Sequence, residues 1–358
     1  MTNKKSIDLS KVSVNKVINL IPGTLVYKGG KKDQLKIEKI EYSEEIYKQK
    51  TYTTLDDEFI NDIKSISKNI RWINVTGINH VEEISGIGHL FNIDRMLLEE
   101  VVDVSKHSTY KISEDFVFNH LQMIYVKDGI IVNETISIYM FEDTIITFQE
   151  RSGDVFEAIR NRLKNNEGQL RGKNSSYAYF SILDAIVDHY INVLEKMKNS
   201  IEKMELKLME DQVLDNKELH ILRKHILVLS LSTTPMEKLV QELLLIEGSS
   251  FVQQKLYFES LSQHLKLTMH EISILKESVD SLYENYMMTN ANDMNQVMTI
   301  LTIFSAIFIP LSFATGVFGM NFSVIPGLSN PLAFIYFLVG CGATAVMMLL
   351  VFKLKKWF

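Results

Sequence analysis

From Met294 to Phe352 the chain carries no Asp, Glu, Lys, Arg or His. A helix needs about 20 consecutive apolar residues to cross a bilayer, so a run of about sixty holds two crossings and a short turn. Breakers collect at Gly319, Asn321, Pro326, Gly327, Asn330 and Pro331. They divide the run into one helix over about 295–318 and a second over 332–352. Hydrocarbon offers no hydrogen-bond partner to a peptide group, which favours helices for both crossings. The chain therefore reads as an integral membrane protein with a helical hairpin near its C-terminal end.

About 290 residues precede the first crossing, and they are rich in charged and polar side chains. Such a length supports a soluble body with its own core. The formal net charge of −6 lacks the basic footprint of a nucleic-acid binder. Cys341 is the single cysteine and falls within the second crossing, so no intramolecular disulfide forms. The opening MTNKKSIDLSKVSVNKVINLIPG lacks the apolar core and small-residue cleavage site of a signal peptide. Lys353, Lys355 and Lys356 directly follow the second crossing, whereas the turn between crossings has no positive charge. The positive-inside rule then places the tail in the cytoplasm of a cell membrane. Two crossings return the chain to its starting side, so the large body is expected there too.

Residues 1–20 read as a polar leader, and 21–174 as an α/β domain. Its β-rich runs are 24–27, 35–43, 71–77, 116–126, 129–141 and 144–150, several alternating apolar with polar residues as half-buried strands do. Helical patterns lie between them at 58–70, 81–91 and 93–104, with Asp94 a candidate N-cap. Interleaving of this kind predicts a mixed sheet flanked by helices. After a helical run at 154–166 the strand signal ends, and 175–250 reads as an antiparallel helical arm with Pro235 a candidate kink. Residues 251–318 contain no breaker before Pro310, which predicts one stalk helix continuing into the first crossing. An external loop (319–331), the second crossing (332–352) and a basic tail (353–358) complete the order. A stalk on the order of 100 Å needs partners along its length, and copies of itself around an axis supply them.

In the first crossing Asn295, Thr302, Ser305, Ser312 and Gly316 recur at steps of three and four or their sums, hence on one helix face. Ser312 and Gly316 form a small-xxx-small pair suited to close helix packing. That face serves either packing alone or the lining of a narrow aqueous path. Glu277, Asp280 and Glu284 continue the spacing below the membrane. A stripe of carboxylates approaching a bilayer is costly unless it meets cations; a solvated face beside Lys276 is the plainer alternative.

Gly319-Met320-Asn321 follows IFIPLSFATGVF, precedes a second crossing, and the chain closes with KLKKWF. Together with PGTLVY, WINVTG (72–77) and FQERSGDVFEAIRNRL (148–163), these residues resemble the CorA-type magnesium transporter family over nearly the whole chain. The resemblance implies a homopentamer in which the first crossings surround a pore, the second crossings form an outer ring and the α/β bodies make a cytoplasmic funnel. It places an external selectivity ring at Asn321, with Gly319 and Met320 shaping the loop that presents it. Asn295, Met298 and Leu301 match the cytoplasmic half of the path, Ile309 and Ser312 its outer half, and Glu284 an acidic ring at the stalk. Ile309 stands where the family often has methionine.

The same resemblance implies closure by cytosolic Mg2+ bound between subunits, so that Mg2+ is both substrate and regulator. Glu100, with Glu99 beside it, matches one side of that site. The facing position on a neighbouring stalk is Ser260, where family members can carry a carboxylate. Glu259, Asp103 and His264 are the candidates to compensate. The external sequence NFSVIPGL has no acid where related loops can have one.

The function so implied is Mg2+ influx driven by the membrane potential, with Co2+ or Ni2+ as further cargo. Two charges at about 2.3 kcal/mol per 100 mV give roughly 4.6 kcal/mol inward. A zinc transporter of the same superfamily is the alternative within the fold. A membrane-anchored enzyme or signalling protein is the alternative outside it. The chain contains no P-loop, dinucleotide turn, HExxH or GxSxG, and its nine histidines lack metal-ligand spacing. The expectation is a transporter, not an enzyme.

Overall fold

The computed structural model describes residues 21–65, 68–210, 214–246, 250–320, 330–355 and 357. Two bodies emerge: Met1–Met209 with Asp215–Val279, and Glu210–Leu214 with Asp280–Phe358. In the first body, the described residues form a seven-stranded sheet ordered β2-β1-β3-β7-β6-β5-β4. The strands are β1 (Lys36–Tyr42), β2 (Tyr47–Tyr52), β3 (Ile70–Thr76), β4 (Thr109–Ile112), β5 (Phe116–Lys127), β6 (Ile130–Phe141) and β7 (Thr144–Gln149). β3 and β7 pair in parallel, Trp72 opposite Ile145, and the remaining neighbours are antiparallel, so the sheet is mixed.

Alternation along the strands sends side chains to two covered faces. Ile73 and Val75 of β3 with Ile146 and Phe148 of β7 join Phe59, Ile84, Ile87, Leu98 and Val101 in one core. These last five come from α1 (Asp57–Lys64), α2 (Val81–Leu90) and α3 (Arg95–Val102). Asp94 caps α3 as expected, accepting from Met96 N at 2.7 Å. On the second face, α4 (Glu157–Asn165) and α5 (Ser175–Met209) bring Ile159, Leu163, Ala178 and Ile182 to Trp72 and Ile145.

The second face also holds a buried polar strut. Arg160 of α4 grips Asp154 with two guanidinium nitrogens at 2.7 and 2.5 Å, and reaches Glu38 of β1 at 2.9 Å. Gln149 donates to Asp154 and to Asn74, Thr147 donates to Asn74, and Trp72 Nε1 donates to Thr147. The Arg160 guanidinium lies 5.2 Å from the centre of the Trp72 ring. Burial pushes the Asp154 carboxyl up, but the Arg160 pair outweighs it and holds the group below the usual carboxylate range.

Three sequence expectations change. Residues 24–27 form no strand; Leu25 and Tyr27 alternate because they pack on the core, while Lys28 N alone reaches Val102 O at 3.3 Å. The helix expected over 58–70 ends at Lys64, where Ser65 turns to extended geometry. β2 and β4 escaped the strand pattern because they are edges: β2 reads YKQKTY with four exposed residues, the lysine-rich character that discourages pairing with another chain.

Beyond the sheet, α6 spans Asn216–Leu245 and α7 Lys255–Phe318. Pro235 lies inside α6 without breaking it. Proline removes one backbone donor, and the Ser232, Thr233 and Thr234 hydroxyls donate back to the carbonyls of Val228, Leu229 and Ser230 in the preceding turn. Phe180 meets Phe258, and Lys198 pairs with Glu271 at 3.0 Å, so α5 and the early part of α7 run in the same direction. In the second body α7 is free of charged residues from Met294 to its end at Phe318, and α8 spans Ala333–Leu354 with no buried residue. Both are long and apolar enough to cross a membrane.

His120 on β5 is fully buried and shares a 2.8 Å hydrogen bond with Ser137 on β6. Burial drives its pKa down to about 4, against the opposing charge of Glu100. The native imidazole thus stays neutral while an unfolded one protonates below about 6.5, so stability falls as pH drops from about 6.5 to 4. His120→Gln is expected to flatten melting temperature against pH in that window relative to wild type. Parallel curves for the two proteins would refute this.

Candidate functional site

Among the described residues, the candidate path lies on one helix. Glu284, Asn295, Met298, Leu301, Ile309 and Ser312 all belong to α7, and all are exposed in the single chain. Steps of three and four carry them along one side. The large apolar members Met298, Leu301 and Ile309 are 60–66% exposed, as befits residues that await lipid or other helices. The hydroxyls nearby satisfy themselves: Thr299 donates to Asn295 O at 2.8 Å and Thr302 to Met298 O at 2.7 Å. Back-bonding of this kind lets threonine sit in apolar surroundings without a buried, unpaired donor.

α7 ends at Phe318; the next residue, Gly319, donates its N–H to Thr315 O at 2.9 Å, and Met320 N reaches Val317 O at 3.3 Å. Gly319 does not adopt the left-handed geometry of the usual helix-terminal glycine. Its requirement is closeness instead: a Cβ there would stand 3.3 Å from the Thr315 carbonyl oxygen. Asn321 lies outside the described residues.

Sequence reasoning passed over Trp357, which borders a groove with Asn295, Met298, Thr299 and Thr302. Its backbone N–H donates to Phe352 O, and its ring stacks on Phe352 at 5.3 Å. An aromatic residue just past a crossing was the available signal.

The acidic candidates sit on α3. Glu99 accepts from Gly23 N at 2.7 Å, which ties the incoming N-terminal segment to the helix. Glu100 is buried and accepts from Thr109 Oγ1 at 2.8 Å and from Lys106 at 2.9 Å, with Lys111 at 3.5 Å. Burial raises its pKa, but the bonds from Lys106 and Thr109 and the two lysine charges prevail and hold it ionised below its ordinary value. Asp103 is engaged by Lys28 at 2.5 Å and Ser105 at 2.6 Å, and Glu259 lies 3.8 Å from Lys255.

Ser260 and His264 are exposed on α7. His264 lies near enough to Asp184 of α5 to counter the rise in that carboxyl's pKa, which burial and neighbouring Asp188 produce. Asp184 and Asp188 were legible as an i,i+4 carboxylate pair, yet sequence reasoning did not single them out. Among the described residues of one chain, no three His, Cys, Asp or Glu side chains gather so as to hold a metal.

The family described as CorA-like Mg2+ transporter protein matches residues 67–355. The cobalt/magnesium transport protein CorA of Thermotoga maritima is 30% identical over 351 residues, covering 94% of this chain and 97% of that one. The zinc transport protein ZntB of Yersinia pseudotuberculosis is 26% identical over 230 residues, 62% of this chain and 68% of its own. Among solved structures, the complete CorA magnesium transporter of Methanocaldococcus jannaschii superposes with a TM-score of 0.71 at 19% identity, covering 90% of this chain and 98% of that one. Full-length CmaX superposes with a TM-score of 0.70 at 17% identity, covering 92% and 100%.

Proposed function

The chain belongs to the CorA-like Mg2+ transporter family, and we propose that it conducts Mg2+ inward down the membrane potential. More broadly it is a divalent-cation transporter of the CorA superfamily. In this reading five copies surround one axis, both termini face the cytoplasm, and Co2+ or Ni2+ are further cargo. One observation carries it: α7 runs unbroken to Phe318, the sequence Gly319-Met320-Asn321 comes next in the chain, and a second apolar helix, α8, follows at Ala333–Leu354.

The chemistry suits Mg2+, which is small, octahedral and reluctant to shed water. A ring of Asn321 carboxamides can hydrogen-bond the ion's waters without stripping them, and conduction requires a site weak enough to leave. Below it, rings of Met298, Leu301 and Ile309 block ions by excluding water when narrow. Cytosolic Mg2+ closes the path at an acidic site on Glu99 and Glu100, facing Ser260 and His264 of a neighbouring copy. With Ser260 in place of a carboxylate, that site is weak.

Purified protein in liposomes with an inside-negative potential is expected to admit Mg2+ at a rate that rises with the potential. Flux of Zn2+ without Mg2+ would transfer the assignment to a zinc transporter, the reading that the ZntB relatives support. No metal flux at all would end the transport reading.

A further inference from the structure

Glu100 already has resident cations. Lys106 Nζ stands 2.9 Å and Lys111 Nζ 3.5 Å from the same oxygen, Oε1, while Thr109 Oγ1 donates to Oε2 at 2.8 Å. The carboxylate side chain is 9% exposed and the lysines 40% and 43%, so the ammonium groups are the cluster's solvent-facing members. All three donors come from the short segment 106–111 that follows α3 and opens β4. Thr109 and Lys111, two apart on β4, lie on one side of the strand. A divalent ion arriving at Oε1 would meet two like charges within a few ångströms, at a site half-shielded from water where repulsion is poorly screened.

We propose that Lys106 and Lys111 form a latch on Glu100, holding the place of the regulatory divalent cation until it displaces them. The inference rests on the regulatory reading of Glu100 given above. A latch of this kind keeps the buried carboxylate neutralised when metal is absent, and it raises the ion concentration at which the site fills. An unpaired buried carboxylate would be costly, so the lysines also let the apo form remain folded.

The test uses full-length protein, read in two ways: Mg2+ flux into liposomes against internal Mg2+, and the Mg2+-dependent rise in melting temperature. Lys106→Gln with Lys111→Gln is expected to lower the half-closing Mg2+ concentration by about five- to a hundredfold, the usual range of site coupling. The melting curve should respond at correspondingly lower Mg2+. Arginine at both positions is expected to behave as wild type. A wild-type or weaker Mg2+ response in the double glutamine variant, with an altered response in Glu100→Gln, overturns the latch and leaves the regulatory site standing. An unchanged response in Glu100→Gln overturns both. If the double variant does not fold, Lys111→Gln alone carries the test, with an expected shift of about twofold or more, and no shift overturns the latch.

Discussion

Asn321→Ala is expected to lower Mg2+ flux by about a hundredfold while leaving the melting temperature within a degree or two of wild type. Each amide in the proposed ring contributes about 0.5–1.5 kcal/mol through its bond to the ion's hydration shell. Losing several at once removes roughly 3 kcal/mol, and 1.4 kcal/mol is a factor of ten. Asn321→Asp should fail differently. A ring of carboxylates binds the ion more firmly and releases it slowly, so flux saturates at lower Mg2+ and at a lower ceiling. Influx into liposomes at fixed potential separates the two behaviours. Wild-type flux in the alanine variant would remove Asn321 from the conduction path.

Arg160→Met is expected to destabilise the sheet-containing body by about 3–5 kcal/mol, because it leaves a buried carboxylate without its counter-charge. Asp154 would lose two charge-assisted bonds and Glu38 one. Chemical unfolding followed by Trp72 fluorescence reads the change directly, since that indole lies under the guanidinium. Combining Arg160→Met with Asp154→Leu should recover part of the loss, because removing both charges costs less than removing one. A double variant no more stable than Arg160→Met alone would show that the strut acts through something other than charge compensation.

The long central strands, the helices around them and the two apolar crossings were legible in advance, since β5, β6 and β7 and the helices α2, α3 and α5 carry strong periods of their own. β2 and β4 were not, because β2 exposes four successive residues and β4 is only four residues long, so neither carries a readable apolar period. The segment at 24–27 misled for the opposite reason: its alternation reports contact with the core, and contact with a core does not require a ladder. Sequence placed Glu99, Glu100, Ser260 and His264 only through resemblance. Nothing in the local pattern says that Lys106 and Lys111 close on Glu100, or that Gly23 occupies Glu99.

The division has a physical cause. Hydropathy, helical period and the positive charge beyond the second crossing are properties of neighbouring residues, and they alone determined a membrane hairpin preceded by an α/β body. Partnership between charges is a property of the fold. Glu38, Asp154 and Arg160 meet because β1 and α4 are brought to one sheet face from 122 residues apart. Only the tertiary structure decided which acids are already paired with a cation inside the chain.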